Sequence, residues 1–292
     1  MPEYLAPGVY VEEVSFRSKS IEGVATSTTG YAGMTRWGPV RYTGGPTTVE
    51  PRLITSYTEF ERVYGGLEQL LIDRGDGQAT SNSYVAHAVR AFFLNGGKRV
   101  YVSRTFQPSD PGDGSEDWGI SSLPLPFGAT DSATWRGRWP GAFGNVLLKV
   151  RAIRKGNVAF DHTQPSGPVF GTQARGLTRG AVVEITAPGG TPPLAGDDLV
   201  AGSLAVVAVD ETVTDIAGLA QQTFLDTTGA PVAVAAGSTI KEVTLQAVIE
   251  AGNDRIDVYD ELATHPAQRR WVAKIMQAND PEDENAILWL DT

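Results

Sequence analysis

The sequence predicts a mixed α/β fold of the α+β kind, built on a mixed sheet with flanking helices and carrying a β-rich insertion. Three observations predict it. Residues 83–95 have helical patterning, stop at Gly96-Gly97 and run directly into an alternating strand at residues 98–104, an αβ unit typical of a mixed layer. Residues 155–245 are short Val-, Ala- and Thr-rich strands separated by Gly/Pro turns. The 33 glycines and 18 prolines among 292 residues favour many turns and short strands over a helical bundle. With 41% hydrophobic residues, the chain can bury a substantial core.

The first segment holds Pro2 and Pro7 and the run Gly8-Val9-Tyr10-Val11-Glu12-Glu13-Val14. Val9 and Val11 fall on one face of an extended strand, Tyr10 and Glu12 on the other. The polar residues 15–20 that follow supply no tight turn to bring the chain back, so this strand is expected to find its partner elsewhere. Residues 27–35 form the next strand candidate and residues 37–46 a Gly/Pro loop. Ser56 and Glu59 have capping-box spacing for a helix, with Phe60 and Val63 or Tyr64 as its apolar face and Gly65-Gly66 as its stop. In the helix at 83–95 the expected buried surface is Tyr84, Val85, Ala88, Ala91, Phe92 and Leu94.

Residues 107–134 are rich in Pro, Gly, Ser and Asp and predict a long loop. A strand is expected at 146–154, and the clearest strands beyond it are 181–186, 199–209 and 239–245. The end of the chain predicts a helix at about 266–277, an acidic run at 280–284 and a short strand at 286–290. No period of 20 to 50 residues recurs, which excludes a solenoid.

Composition removes several function classes. A formal charge of −10 and a pI near 4.8 oppose non-specific attraction to DNA or anionic lipid, and no nucleic-acid partner is expected. No apolar stretch approaches the roughly 20 residues a membrane helix needs, so no direct membrane insertion is expected. The N-terminus lacks the basic start and apolar region of a secretory signal, which places the nascent chain in the cytoplasm. There are no cysteines, hence no disulfides, thiolate nucleophiles or cysteine metal sites.

Catalytic patterns are missing as well. His87, His162 and His265 are far apart in sequence, with no H-E-x-x-H pair for zinc, and surface or structural roles suffice for them. No serine has the G-x-S-x-G frame of a nucleophile elbow. Gly96-Gly97-Lys98 ends a helix, whereas a phosphate-binding loop begins one. Asp110, Asp113, Glu116 and Asp117 miss EF-hand spacing, and the 280–284 run is expected at the surface. Trp135 and Trp139 alternate with Arg136 and Arg138, where core packing outweighs a nucleic-acid or glycan platform. A glycan- or receptor-binding reading rests on the β-rich region and on exposed aromatics such as Trp118 and Trp135, without paired carboxylates to accompany them. The expectation is a non-enzyme with no cofactor and no metal.

Several stretches together resemble the phage tail sheath family, shared by contractile tails and phage-derived contractile injection systems. The opening Tyr4-Leu5-Ala6-Pro7-Gly8-Val9-Tyr10-Val11-Glu12-Glu13-Val14, continuing through Ile21-Glu22-Gly23-Val24-Ala25-Thr26-Ser27-Thr28-Thr29-Gly30, is its most specific part. Gly38-Pro39, Ile54 to Phe60 with Tyr64-Gly65-Gly66, Val89 to Val102, and Pro140-Gly141-Ala142-Phe143-Gly144-Asn145 follow in the family's order. The likeness covers residues 2–154 well and echoes weakly at 259–276.

The resemblance implies a sheath-like core at 22–154, an extended N-terminal linking arm at 1–21, a β-rich insertion at 155–250 facing outward, and a return to the core at 251–292. It implies that residues Gly8, Val9, Tyr10, Val11, Glu12, Glu13 and Val14 are an inter-subunit linking strand, added to a neighbour's sheet. The partners it implies are copies of the chain or a paralogous sheath subunit, an inner tube protein, and baseplate and terminator proteins. The mature location would be a virion tail or injection particle. Contraction would be a change between two packings, without nucleotide hydrolysis. The C-terminal region with which sheaths usually finish is not found after Met276, so the resemblance fits either a piece of a longer sheath or a shortened accessory paralogue.

Overall fold

Alternating burial and glycine stops build the first layer. The structure, a computed structural model, describes residues 28–47, 49–73, 77–109, 116–127, 131–162, 170–174, 176–208, 222–252 and 255–292. The expected linking strand at residues 8–14, and all of the arm at 1–21, lie outside the described residues. The first layer comprises β1 (Thr28–Gly33), β2 (Arg52–Ile54), α1 (Tyr57–Tyr64), β3 (Leu70–Asp73), β4 (Gln78–Ser81), α2 (Tyr84–Leu94) and β5 (Arg99–Arg104). β5 is central, parallel to β1 and antiparallel to β2. Its alternation turns Val100, Val102 and Arg104 inward and leaves Arg99, Tyr101 and Ser103 outside. The helices cover the inward face, closing a core of Ile54, Phe60, Tyr64, Ala86, Val89, Val100 and Val102.

Both helices have legible ends. Ser56 Oγ accepts the Glu59 N–H at 3.2 Å and caps α1, while the Glu59 carboxylate reaches one residue further, to the Thr55 N–H and hydroxyl, both at 2.9 Å. That satisfies donors the helix start would otherwise leave open. At the end of α2, Gly97 N–H donates to Phe92 O and Gly96 N–H to Phe93 O, the paired bonds of a Schellman stop with Gly96 at φ +86°. The buried face of α2 differs from expectation. Ala86 and Val89, with Val85, Phe92 and Phe93, pack on the core, whereas Tyr84 and Leu94 are 70% and 76% exposed and Ala91 is exposed too. At 100° per residue, Tyr84 and Leu94 fall away from the inward stripe on either flank.

Two further cores follow. The remaining elements are β6 (Ser122–Phe127), β7 (Asp131–Gly137), β8 (Leu147–Asn157), β9 (Ala159–His162), β10 (Phe170–Ala174), β11 (Val182–Thr186), β12 (Leu204–Ala208), β13 (Thr223–Leu225), β14 (Pro231–Val232), β15 (Thr239–Glu250), β16 (Ile256–Leu262), α3 (Val272–Ile275) and β17 (Leu288–Asp291). β15 organises them. Its first part pairs with β11 and its last part with β16, while β8 runs antiparallel along its other side. The β11 end, extended through β12, β13 and β14, encloses Val183, Ala205, Val207, Phe224 and Ile240. On the β16 end lies an antiparallel sheet of β6, β7 and β17, and between them are Trp135, Ala247, Ile249, Tyr259, Met276, Ile287 and Leu290. Among the described residues, three short helices against seventeen strands make the fold mixed α+β.

Three segments depart from expectation. The loop at 107–134 contains β6 and most of β7. The helix at 266–277 shrinks to α3, because Ala263 N–H donates to Arg270 O, Val272 N–H donates to Ala263 O, and Ala263 bridges Trp271 as a strand would. The strand at 239–245 extends to Glu250, since partners on both sides carry it onward.

Candidate functional site

Stretches scattered along the first half of the chain meet at one junction between the first layer and the β-layers. Trp37 stacks on Phe143 with ring centres 4.1 Å apart and planes 10° from parallel, and its N–H donates to Tyr64 O. Gly38 follows at φ +116°, where a Cβ would lie 2.5 Å from the Tyr64 ring and 2.9 Å from Val63 O. Only glycine allows the Gly38-Pro39 loop to lie this close to the end of α1.

Arg104 closes the junction. It has the same inward parity as Val100 and Val102, so the strand carries a guanidinium into the interior. Its Nη1 donates to Gly38 O at 3.0 Å and its Nη2 to Pro140 O at 3.1 Å, and the guanidinium sits 5.0 Å from the Phe106 ring centre. No carboxylate pairs with it among the described residues, and burial pulls its pKa down to about 10. Arginine still remains charged at neutral pH, so carbonyl dipoles hold this cation. Arg138 repeats the device: it is buried, donates to Gln277 O and Ala278 O at 3.3 and 2.7 Å, and lies 5.4 Å from the Trp139 ring. Burial lowers its pKa as well. Sequence reasoning passed over Arg104, for which the alternation of β5 was the available signal, and singled out Arg138 only as a basic neighbour of Trp135 and Trp139.

Beside this junction runs a charged cleft of about 660 Å3, lined by Arg52, Ile256 to Tyr259, Arg270 and residues 282–285. The acidic run lies at the surface as expected, with Asp280, Glu282 and Glu284 exposed, and the carboxylates of Glu282, Asp283 and Glu284 are engaged in ion pairs there. Arg52 pairs with Glu284 at 3.2 Å and donates to Asn285 Oδ1 at 2.8 Å; Arg62 lies 3.8 Å from Asp283. Arg255 binds both Asp257 oxygens at 2.7 and 2.9 Å and donates to Asn285 O, and Arg270 pairs with Glu282 at 3.0 Å. Tyr259 is buried at the cleft wall with its hydroxyl unpartnered among the described residues. Burial pushes its pKa up, and the Asp283 and Asp257 charges add to the rise.

The long side of the cleft is the free edge of β16. Ala251 N–H donates to Arg255 O, so in the β15–β16 ladder the odd residues Asp257 and Tyr259 face β15 and the even residues Ile256, Val258 and Asp260 turn their backbone groups outward. Arg270 Nε takes Asp260 O at 3.1 Å. No strand pairs with Ile256 or Val258 on that side among the described residues.

The rims of β6 and β17 are closed. Gly137 N–H donates to Ser121 O, which fixes the phase of the β6–β7 pairing and turns Pro124 and Pro126 to the outer side of β6. Both positions therefore present no N–H to a newcomer. On the outer side of β17, Leu290 N–H is taken by Met276 O at 2.8 Å.

The remaining sequence candidates do not assemble into a reaction centre. His87 is exposed on α2, His265 Nδ1 accepts the Ala267 N–H, and the His162 side chain lies outside the described set. Asp110 and Asp113 also lie outside it, while Asp117 Oδ1 accepts the Gly119 N–H. Trp135 is in the core, and Trp118 is half-buried against Phe106 and Tyr42, so neither tryptophan named for the glycan-binding reading is exposed. Among the described residues no three His, Cys, Asp or Glu side chains are grouped to hold a metal ion. Comparison with protein-family models, curated proteins and solved structures finds no match.

Proposed function

We propose that the chain is a structural subunit of a contractile tail sheath, non-enzymatic, linked to copies of itself or to a paralogous subunit around an inner tube. The observation that carries this reading is the ordered set of sheath-like stretches in residues 2–154, above all the opening Tyr4 to Val14. Two structural features support it. Gly38-Pro39, Tyr64-Gly65, the end of β5 and Pro140 to Phe143 come together around Arg104 and the Trp37–Phe143 stack, so resembling stretches far apart in sequence share one structural task. On the outer face of α2, Tyr84, Ala91 and Leu94 are exposed beside His87 and Arg90, a mixed apolar and polar surface of the composition that interfaces have.

On this reading the arm supplies main-chain hydrogen bonds to a neighbour, and contraction draws on the difference in interface free energy between two packings. Deleting residues 1–20 from the full chain should abolish assembly into sleeves, seen by electron microscopy with and without the tube protein, while circular dichroism shows the core still folded. Normal sleeves from the deletion would refute the arm's role. A full chain that decorates one end of a tail without polymerising would mark an accessory or adaptor instead.

A further inference from the structure

We infer that Asn95 is a deamidation site whose reactivity the end of α2 holds in check; this is independent of the sheath reading. Of the asparagines in the chain, Asn95 alone is followed by glycine. The reaction attacks the asparagine side chain with the backbone nitrogen of the next residue, so a following side chain crowds it and glycine leaves it open. Asn95 and Gly96 are both exposed, and a Cβ at Gly96 would meet nothing within 4 Å. Water and base therefore reach the reacting atoms freely.

The folded chain withholds the reaction. Ring closure needs the Gly96 nitrogen eclipsed with the Asn95 Cβ and free to lose its proton. At φ −91° and ψ 17° Asn95 does not supply that alignment, and the Gly96 N–H is committed to Phe93 O at 3.1 Å. The group under attack is held as well, since Asn95 Nδ2 donates to Ala91 O at 2.7 Å. Gly97 N–H completes the stop by donating to Phe92 O at 2.9 Å. The Phe92 ring lies against Gly97, where a Cβ would come within 2.2 Å of it. The last turn of α2 must open before Asn95 can react, and helix ends are among the places where local opening costs least.

Once the turn opens, the Gly96 nitrogen gives its proton to solvent base and bonds to Asn95 Cγ. The Cγ–Nδ2 bond breaks and ammonia leaves with a proton from solvent, giving a cyclic imide. Water then opens the imide at either carbonyl, to aspartate or to isoaspartate, in which the main chain runs through Cγ. Either product undoes the stop. A carboxylate replaces the amide that donated to Ala91 O and stands at the negative end of the helix. Isoaspartate also adds a carbon to the backbone between Phe93 O and the Gly96 N–H. Both changes fall beside Ala91 and Leu94 on the exposed face of α2, so ageing of the chain alters that face.

Peptide mapping by mass spectrometry of the full chain, held in mildly alkaline buffer, reads the mass gain at Asn95, and isoaspartate-specific methylation reads the second product. Conversion should be roughly tenfold or more slower in the folded chain than in urea. Gly97→Ala forces the Phe92 ring off the stop without touching either reacting residue. It should speed conversion several-fold in the folded chain and leave the rate in urea unchanged. No conversion of Asn95 in urea overturns the site. Equal rates with and without urea overturn the check by α2, and that comparison needs no variant to fold. A G97A chain that is folded by circular dichroism and converts no faster than the unaltered chain overturns it too.

Discussion

Tyr64 shows how one side chain can hold the first layer and also report on it. Its ring is almost fully buried, and its hydroxyl donates to Val102 O at 2.8 Å, tying α1 to β5. Burial pushes the phenol from the model-compound value of 10.0 up to about 12. The folded chain therefore keeps a proton that the unfolded chain releases. The stabilisation is complete below pH 10.0 and is lost as pH rises through about 12. Tyr57 is raised to about 12 as well, again mainly by burial, and contributes in the same window. Tyr64→Phe should cost about 1–2 kcal/mol near neutral pH, because Val102 O loses its donor, and should flatten part of the alkaline fall in stability. Urea titrations at neutral and alkaline pH read both effects. At this scale the sequence was partly legible: the Ser56 cap, the Gly96-Gly97 stop and Gly38-Pro39 were visible as residue types. The buried guanidiniums of Arg104 and Arg138 were not, since their acceptors are carbonyls that any residue could supply.

Elements were legible where the pattern is local and illegible where a distant partner decides. The alternation of β5 and the apolar run of α2 announce themselves, yet β6 is Ser-Leu-Pro-Leu-Pro-Phe, and its prolines argue against a strand until it is seen as an edge whose prolines face outward. The same applies to β15, whose full length depends on β8, β11 and β16. A buried ion pair crosses this sheet. Arg154 of β8 and Glu184 of β11 both pair with β15 and meet over it with side chains 2% and 1% exposed. The pair is bidentate at 2.6 and 3.1 Å, and the remaining guanidinium donors go to Leu194 O, Asp197 O and Asp198 O, so the loop after β11 is tied down by the same residue. Glu184→Leu should cost about 3–5 kcal/mol by leaving a buried cation unpaired, and Arg154→Met added to it should recover a large share of that loss. Denaturation midpoints of the single and double variants measure this directly.

Across the whole molecule, the arrangement of open and closed rims matters more than any one contact. Pro124→Thr together with Pro126→Thr restores two outward N–H groups on β6 without disturbing its bonds to β7. The variant should scatter more light than the parent at equal concentration, since restored open edges favour strand pairing between molecules. The two prolines therefore do more than interrupt a pattern: with no N–H to offer on that side, β6 ends its sheet, and a hydrogen-bonded ladder cannot be carried across this rim from one molecule into the next.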